Sequence, residues 1–287
     1  MGRYGLWAPE RIWPDDASAI AEAAREIEDL GFGALWVGGS PADDLGLAEA
    51  VLAATSALVV GTSIVDIWTS DAQRLAASHA RISDRFPGRF YLGVGSGHAP
   101  TAESRGQSYT RPLSRLRELL TGPLSGVPAQ ERMIAALGPK TLEAAGELTA
   151  GALPYLMPPA HTAEARRILG AGPLLVPEQK VFLGTDAAAA RRGGRKALRL
   201  YLALPNYTRQ LVKFGLDDSD LAGDGSDRFI DSAVIWGDPE RVRAGVDAHL
   251  KAGGDHVAVQ VLIESGAPTT LPRAEWRQLA GLLGLTS

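Results

Sequence analysis

The chain has 287 residues, 45% of them hydrophobic, with 29 Lys and Arg against 33 Asp and Glu. That composition suits one sizeable globular core, and a formal charge of −4 without any basic run argues against a nucleic-acid partner. With no cysteine, disulfides, thiolate nucleophiles and cysteine-bound metals are excluded, and the five histidines (79, 98, 161, 249, 256) lack compact ligand spacing, so no metal is expected.

Strand and helix signals alternate from the first residues. Residues 4–8 form a short apolar run that reads as a strand. After Pro14, Asp15 or Asp16 caps a helix in which Ile20, Ala24, Ile27 and Leu30 recur at helical spacing, and Gly31 ends it. Residues 35–37 are a second strand with an alanine-rich helix near 44–54 behind it; 58–65 is a third, with a helix over 71–85 that stops before Pro87. The run Phe90-Tyr91-Leu92-Gly93-Val94 reads as a fully buried fourth strand, leading into Gly95-Ser96-Gly97 and a titratable His98. A helix near 113–120 and a Gly/Pro/Ser loop over 122–128 follow. Then come a strand at 133–137, a helix from Pro139, a strand at 152–157, a helix at 162–169 and a seventh strand at 179–183. A long segment carries a helix within 186–202, another over 206–214, an acidic turn at 217–220 and two more helices. The last strand, 256–262, precedes a helix around 273–283. Eight buried strands alternating with helices predict a single (β/α)8 TIM barrel over residues 1–287, with a helical insertion after strand 7. An open doubly wound sheet is the alternative, because pattern alone does not show closure. The opening residues lack a signal-peptide core and no apolar run is long enough to span a membrane, so a cytoplasmic protein is expected.

In a barrel the informative residues stand just after each strand. Here they are Trp7, Gly38-Gly39-Ser40, Ser63-Ile64-Val65-Asp66, Ser96-Gly97-His98, Gly138-Pro139-Lys140, Tyr155-Leu156-Met157 and Gln260. The set is glycine-rich, apolar and poor in charge, where a hydrolase or aldolase barrel would offer carboxylates, a buried lysine or histidine ligands. Backbone, small residues and aromatic rings suit a large planar cofactor that carries the chemistry itself. Gly138-Pro139-Lys140-Thr141 leaves free N–H groups at a helix start, which holds a phosphate or simply begins the helix. Trp36 reads as core, Trp68 as lid or pocket wall, and Tyr109 and Arg111 as pocket residues or the solvated start of a helix. Asn206-Tyr207 closes over substrate or caps its helix; His161 reads as a surface cap, His79 and His249 as structural or solvated, and His256 as lying at the amino end of the last strand.

Taken in order, five motifs carry a resemblance. They are Leu30-Gly31-Phe32-Gly33-Ala34-Leu35-Trp36-Val37, Val60-Gly61-Thr62-Ser63-Ile64, Gly88-Arg89-Phe90-Tyr91-Leu92-Gly93-Val94-Gly95, Ala136-Leu137-Gly138-Pro139 and Leu204-Pro205-Asn206-Tyr207. Over essentially its whole length the chain resembles the bacterial luciferase-like oxidoreductases, most closely the actinobacterial branch that uses the deazaflavin coenzyme F420. The resemblance implies a luciferase-like (β/α)8 barrel, a homodimer, and hydride transfer between the deazaflavin and a small organic substrate. An FMN-dependent monooxygenase and a non-catalytic flavin-binding protein are the alternatives. It places the cofactor against Ser40, against a bulge at Ser63, Ile64 and Val65 that often carries a non-proline cis peptide, and against Gly95, Ser96, Gly97 and His98. Leu137, Gly138 and Lys140 fall near its phosphate, and Tyr155, Leu156 and Met157 near the ring edge. Substrate contacts are expected from Trp7, Trp68, Tyr109, Asn206 and Tyr207, and the variable loops that carry such contacts in the family are 68–73, 98–111 and 206–229 here. Two departures matter. Deazaflavin-dependent sugar-phosphate dehydrogenases carry a histidine or acid after the second strand and a glutamate after the fourth, where this chain has Gly39-Ser40 and His98. Their acid/base pair is therefore not carried over, and His98 is left as the catalytic candidate, to move the accompanying proton or to stabilise charge on the ring.

Overall fold

The computed structural model describes residues 1–104 and 106–286. Its first half lays down β1 (Tyr4–Pro9), α1 (Ala17–Asp29), β2 (Ala34–Gly38), α2 (Gly46–Ala54), β3 (Val59–Thr62), β4 (Val65–Asp66), α3 (Ala72–Arg85) and β5 (Phe90–Gly95). Helix starts follow the expected chemistry: Asp16 and Asp71 each accept a backbone N–H of the first turn, from Ala19 and Arg74, both at 2.8 Å. A short α4 (Ala99–Glu103), unforeseen in the sequence, leads to α5 (Pro112–Thr121), β6 (Arg132–Ile134), α6 (Pro139–Leu148), β7 (Gly151–Ala152) and α7 (Pro159–Leu169). Then come β8 (Leu174–Leu175) and β9 (Glu178–Phe182), and an insertion built from α8 (Ala187–Leu202), α9 (Pro205–Lys213), α10 (Asp227–Ala233), β10 (Val234–Trp236) and α11 (Pro239–Lys251). β11 (Val257–Leu262) and α12 (Arg273–Leu283) complete the chain.

Strands pair in parallel along the path β8-β7-β6-β5-β3-β2-β1-β11-β9, with β10 beyond β9. β8 and β9 are two ends of one stave that bends at Val176-Pro177. On one side the N–H groups of Leu174, Val176 and Glu178 donate to the carbonyls of Ala150, Ala152 and Pro154 at 2.7, 3.0 and 2.9 Å. On the other, the carbonyls of Leu175 and Pro177 accept from Asp255 and Ala258 at 2.9 and 3.0 Å. One stave thus joins both ends of the path and closes the sheet into a barrel, which excludes the doubly wound alternative. Of the eleven strands, β3 and β4 share a stave, β8 and β9 share another, and β10 lies outside, leaving the eight staves of a (β/α)8 barrel. β10 was hidden in the sequence because it is three residues wedged between two helices.

Apolar residues sort into three layers. Leu6, Leu35, Val60, Leu92, Ile134 and Val259 face outward and pack against Ile27, Leu52, Leu75, Ile82 and Leu279 of the surrounding helices. Trp7, Trp36, Met133, Leu153, Val176 and Ala258 fill the barrel itself. Trp36 fits because Gly61 stands opposite; a Cβ there would lie 2.4 Å from its ring. A third cluster, with Leu198, Leu204, Tyr207, Leu211, Phe229 and Ile230, sits over Leu156 and Met157 and roofs part of the carboxyl end of the barrel.

The third stave is interrupted. Gly61 pairs with Tyr91, yet Val65 pairs with Val94, so β3–β4 spends one residue more than β5 between the same two points. That extra residue falls at 62–64, a β-bulge, and the Ser63–Ile64 peptide within it is cis.

Candidate functional site

At the carboxyl ends of the strands the chain stops being fully buried. Ser63, Ile64, Ser96, Gly97, His98, Leu137, Gly138, Tyr155 and Tyr201 are each half-buried, while the strand bodies below them are closed to solvent. These residues therefore line a cleft at the mouth of the barrel.

One side of the cleft is main chain. Trp7 Nε1–H donates to the Ser63 carbonyl at 3.3 Å and pins the bulge from below. Room for the Trp7 ring comes from Gly38, whose Cβ would stand 1.9 Å from it. Thr62 Oγ1 accepts the Gly93 N–H at 2.9 Å and donates to the Gly93 carbonyl at 2.7 Å, bridging staves where the bulge interrupts the ladder. Ser40 Oγ accepts the Asp66 N–H at 3.1 Å. Trp68 Nε1–H donates to the Ser96 carbonyl at 2.8 Å and the Tyr109 hydroxyl to the Gly97 carbonyl at 3.2 Å. Those two rings, 5.5 Å apart, thus support the Gly95-Ser96-Gly97 loop through its backbone.

The other side is built from side chains, and it carries buried charge that the strand-end residues did not disclose. Lys180 Nζ lies 3.0 and 2.9 Å from the two carboxylate oxygens of Glu178, with the side chains 1% and 3% exposed. The ammonium also stands 3.7 Å over the Tyr155 ring centroid. Leu156, at φ 62°, turns its N–H onto Glu178 Oε2 at 3.2 Å. The Tyr155 hydroxyl donates to Gln260 Oε1 at 2.9 Å and accepts from the Tyr201 hydroxyl at 3.2 Å. From α9, Tyr207 closes the group with its ring 5.0 Å from Tyr201, 6.4 Å from Tyr155 and 5.7 Å from His98. Burial pushes the Lys180 ammonium pKa down and the Glu178 carboxyl up, and the partner charge opposes both shifts. Burial likewise raises Tyr155 and Tyr207 well above the ordinary phenol range, so both stay protonated at neutral pH.

His98 stands between the two sides. Burial lowers its pKa, which keeps the imidazole neutral at neutral pH, and its Nδ1 is buried without a hydrogen-bond partner among the described residues.

The structure brings together Trp7, Ser63, Ile64, Gly95, Ser96, Gly97, His98, Leu137, Gly138, Tyr155 and Tyr207 of the expected positions. Others lie elsewhere. Val65, fully buried, packs outward into the helix layer. Leu156 and Met157 are 4% and 3% exposed and pack into the cluster beneath the insertion. Lys140 is solvent-exposed on the first turn of α6, and Asn206 is exposed on the outer face of α9. Trp68 and Tyr109 stand behind the loop they hold. His161 is no surface cap: it is 1% exposed, with Nε2 2.8 Å from the Leu137 carbonyl. Glu178, Lys180 and Tyr201 were missed. Glu178 and Lys180 alternate on one strand face, and a strand placed one residue late, at 179–183, leaves Glu178 out.

Among the described residues no cluster of His, Cys, Asp or Glu could hold a metal ion. The arrangement fits a flat ring with a phosphate arm. Main chain and glycines face the ring position, and at Gly138, among the described residues, only the Gln210 amide, at 3.9 Å, approaches the place of a Cβ. That leaves open space before the uncapped N-terminus of α6.

Comparison with known proteins agrees with this architecture. Residues 3–121 match the family model of luciferase-like monooxygenases. The 5,10-methylenetetrahydromethanopterin reductase of Methanolobus tindarius is 24% identical over 271 residues, covering 85% of this chain and 76% of that protein. Among solved structures, the coenzyme F420-dependent tetrahydromethanopterin reductase of Methanopyrus kandleri matches with a TM-score of 0.72 at 18% identity, over 97% of each chain. The oxygenating constituent of 3,6-diketocamphane monooxygenase from Pseudomonas putida, in complex with FMN, matches with a TM-score of 0.67 at 16% identity, over 98% of this chain and 96% of that one.

Proposed function

We propose that this protein is a coenzyme F420-dependent oxidoreductase that moves a hydride between the deazaflavin and a small organic substrate. One observation carries the reading: the bulged Ser63–Ile64 segment, pinned by Trp7, stands directly beside the Gly95-Ser96-Gly97 loop and forms with it one main-chain surface at the cleft mouth. The methylenetetrahydromethanopterin reductase similar in sequence and the coenzyme F420-dependent tetrahydromethanopterin reductase similar in fold support the choice of cofactor. Ser63, Ile64 and residues 95–97 would hold the ring, and Leu137 and Gly138 the phosphate arm. When bound, the deazaflavin supplies a two-electron hydride donor or acceptor. The protein orients it on a rigid surface, and Tyr207 and the insertion exclude water from one side. His98 lines the ring position as a neutral imidazole, available to a proton or to charge developing nearby.

FMN-dependent oxygenation is the second reading, because the residues that form the main-chain side match a monooxygenase family model. Parallel fluorescence titrations with oxidised F420 and with FMN separate the two. Binding of F420 at least about tenfold tighter is expected; a clear preference for FMN, with oxygen consumed on turnover, overturns the assignment. The partner is a small molecule, and the whole chain is read as one barrel domain of a cytoplasmic homodimer; sedimentation velocity tests the dimer. Among the described residues no helix is long and apolar enough to cross a membrane.

A further inference from the structure

The charge pair at the mouth has no task in cofactor binding as described. Burying an ammonium and a carboxylate costs several kcal/mol, and well-packed apolar residues in their place are often as stable or more so. Yet Glu178 and Lys180 are closed off from water with Tyr155 laid against the ammonium. Tyr155 is held at both ring and hydroxyl: its ring lies 5.4 Å from Trp7 and its hydroxyl is fixed by Gln260 and Tyr201. Trp7 is also the residue that pins the bulge, so Tyr155 stands beside the ring position. His98 packs against the Tyr207 ring, but among the described residues no hydrogen bond fixes its Nδ1.

We propose that Tyr155 carries the proton to and from the oxygen of a neutral carbonyl or alcohol substrate, with Lys180 and Glu178 as its positioning residues. The proposal rests on the hydride-transfer reading above. In the reducing direction the carbonyl carbon takes a hydride from the reduced deazaflavin and the C=O π pair moves onto oxygen. That oxygen takes the Tyr155 hydroxyl proton, giving an alcohol and a phenolate. The phenolate lies against the Lys180 ammonium and is reprotonated by the Tyr201 hydroxyl, which recovers its proton from water because Tyr201 is only half-buried. In the oxidising direction each transfer runs backwards. Gln260 Oε1 occupies the acceptor position that a substrate oxygen takes over. Because Glu178 neutralises Lys180, the pocket floor offers no net charge for a phosphate or carboxylate, hence a neutral substrate. The raised phenol pKa agrees with this role, since the proton stays on Tyr155 until an oxygen gains charge beside it.

Cyclohexanone labelled with 13C at the carbonyl is the probe, added in millimolar excess to the full chain. A hydrogen bond from a phenol moves that resonance downfield. The shift is expected with the unaltered protein and with His98→Ala, and it is expected to vanish in Tyr155→Phe. In the paired variant Lys180→Met with Glu178→Met, whose melting temperature is expected to stay near that of the unaltered protein, the shift is expected to weaken, an effect that a purely structural charge pair does not produce. No downfield shift in the unaltered protein, or a shift that survives Tyr155→Phe, overturns the proposal. F420 fluorescence titration of the same samples reads the cofactor separately. Tyr155→Phe is expected to bind within about threefold of the unaltered protein. An unaltered protein that binds no F420 overturns the cofactor reading, while the carbonyl shift still decides the role of the phenol as a donor.

Discussion

The two halves of the barrel rim work in different currencies. From β1 to β5 the cleft is formed by peptide groups: a bulge, a run of glycines, and side chains such as Trp7, Thr62 and Trp68 whose polar atoms bond to backbone. From β7 to β11 it is formed by side chains that contact one another: Tyr155, Gln260 and Tyr201 share hydrogen bonds, and the Glu178–Lys180 pair joins them through the ammonium over the Tyr155 ring. The luciferase-like family model reaches residue 121 and so covers the first half alone. A main-chain surface suits a cofactor that many proteins share, because it leaves side chains free to vary. A network of side chains suits the substrate, which is where one protein differs from the next.

Several substitutions strain this contrast. Lys180→Met alone strands a buried carboxylate and is expected to cost about 3–5 kcal/mol, whereas the paired change to methionines stays near neutral. Denaturant melts measure both, and equal costs for the single and paired changes would dissolve the second half as a coupled unit. Acid tests the frame beneath both halves. His249, bonded to Thr162 and Gln179, and His256, beside Trp36, both have pKa values lowered to about 4 by burial. The unfolded chain takes up these protons near the ordinary histidine pKa, so stability is complete above about pH 6.5 and drains away toward pH 4. The loss is on the order of 3 kcal/mol per histidine, and unfolding titrations between pH 7 and 4 read it; a flat profile refutes it. Gly38→Ala drives a methyl into the Trp7 ring and is expected to cost about 1–3 kcal/mol. It should also loosen F420, because Trp7 holds Ser63; unchanged affinity would mean that the bulge keeps its shape unaided. Asn206→Ala, on the solvent face of α9, is expected to stay within about 0.5 kcal/mol and leave F420 affinity as it was.

Legibility in the sequence divides along the same line. Buried strands and their glycines are visible because apolar runs and chain reversals are local properties, and the staves from 4–9 to 90–95 fall where pattern places them. Closure was not visible, since it depends on a bend at Val176-Pro177 that lets one strand serve two neighbours. Nor was the charged network, because its members come from the loop after β7, from β9, from β11 and from α8, and only the folded chain makes them adjacent. Lys180 on a strand reads as a solvated edge residue until Glu178, two positions away, is seen beside it. Asn206 shows the opposite failure: a motif drew attention to a position whose neighbour Tyr207 makes the contacts.

The extra residue at 62–64 also acts as a phase shift. Strand side chains alternate between two faces, so one added residue exchanges inside for outside for everything downstream. Val65 thereby joins the helix layer, and Asp66 turns beneath Gly97, where a Cβ would stand 2.0 Å from its carboxylate. Deleting any one residue between 62 and 64 would restore a regular ladder and trade the two, driving a carboxylate into an apolar layer. The bulge is thus written in the length of the segment as much as in its composition. Evolution can rewrite every side chain of that segment more readily than it can shorten it by one.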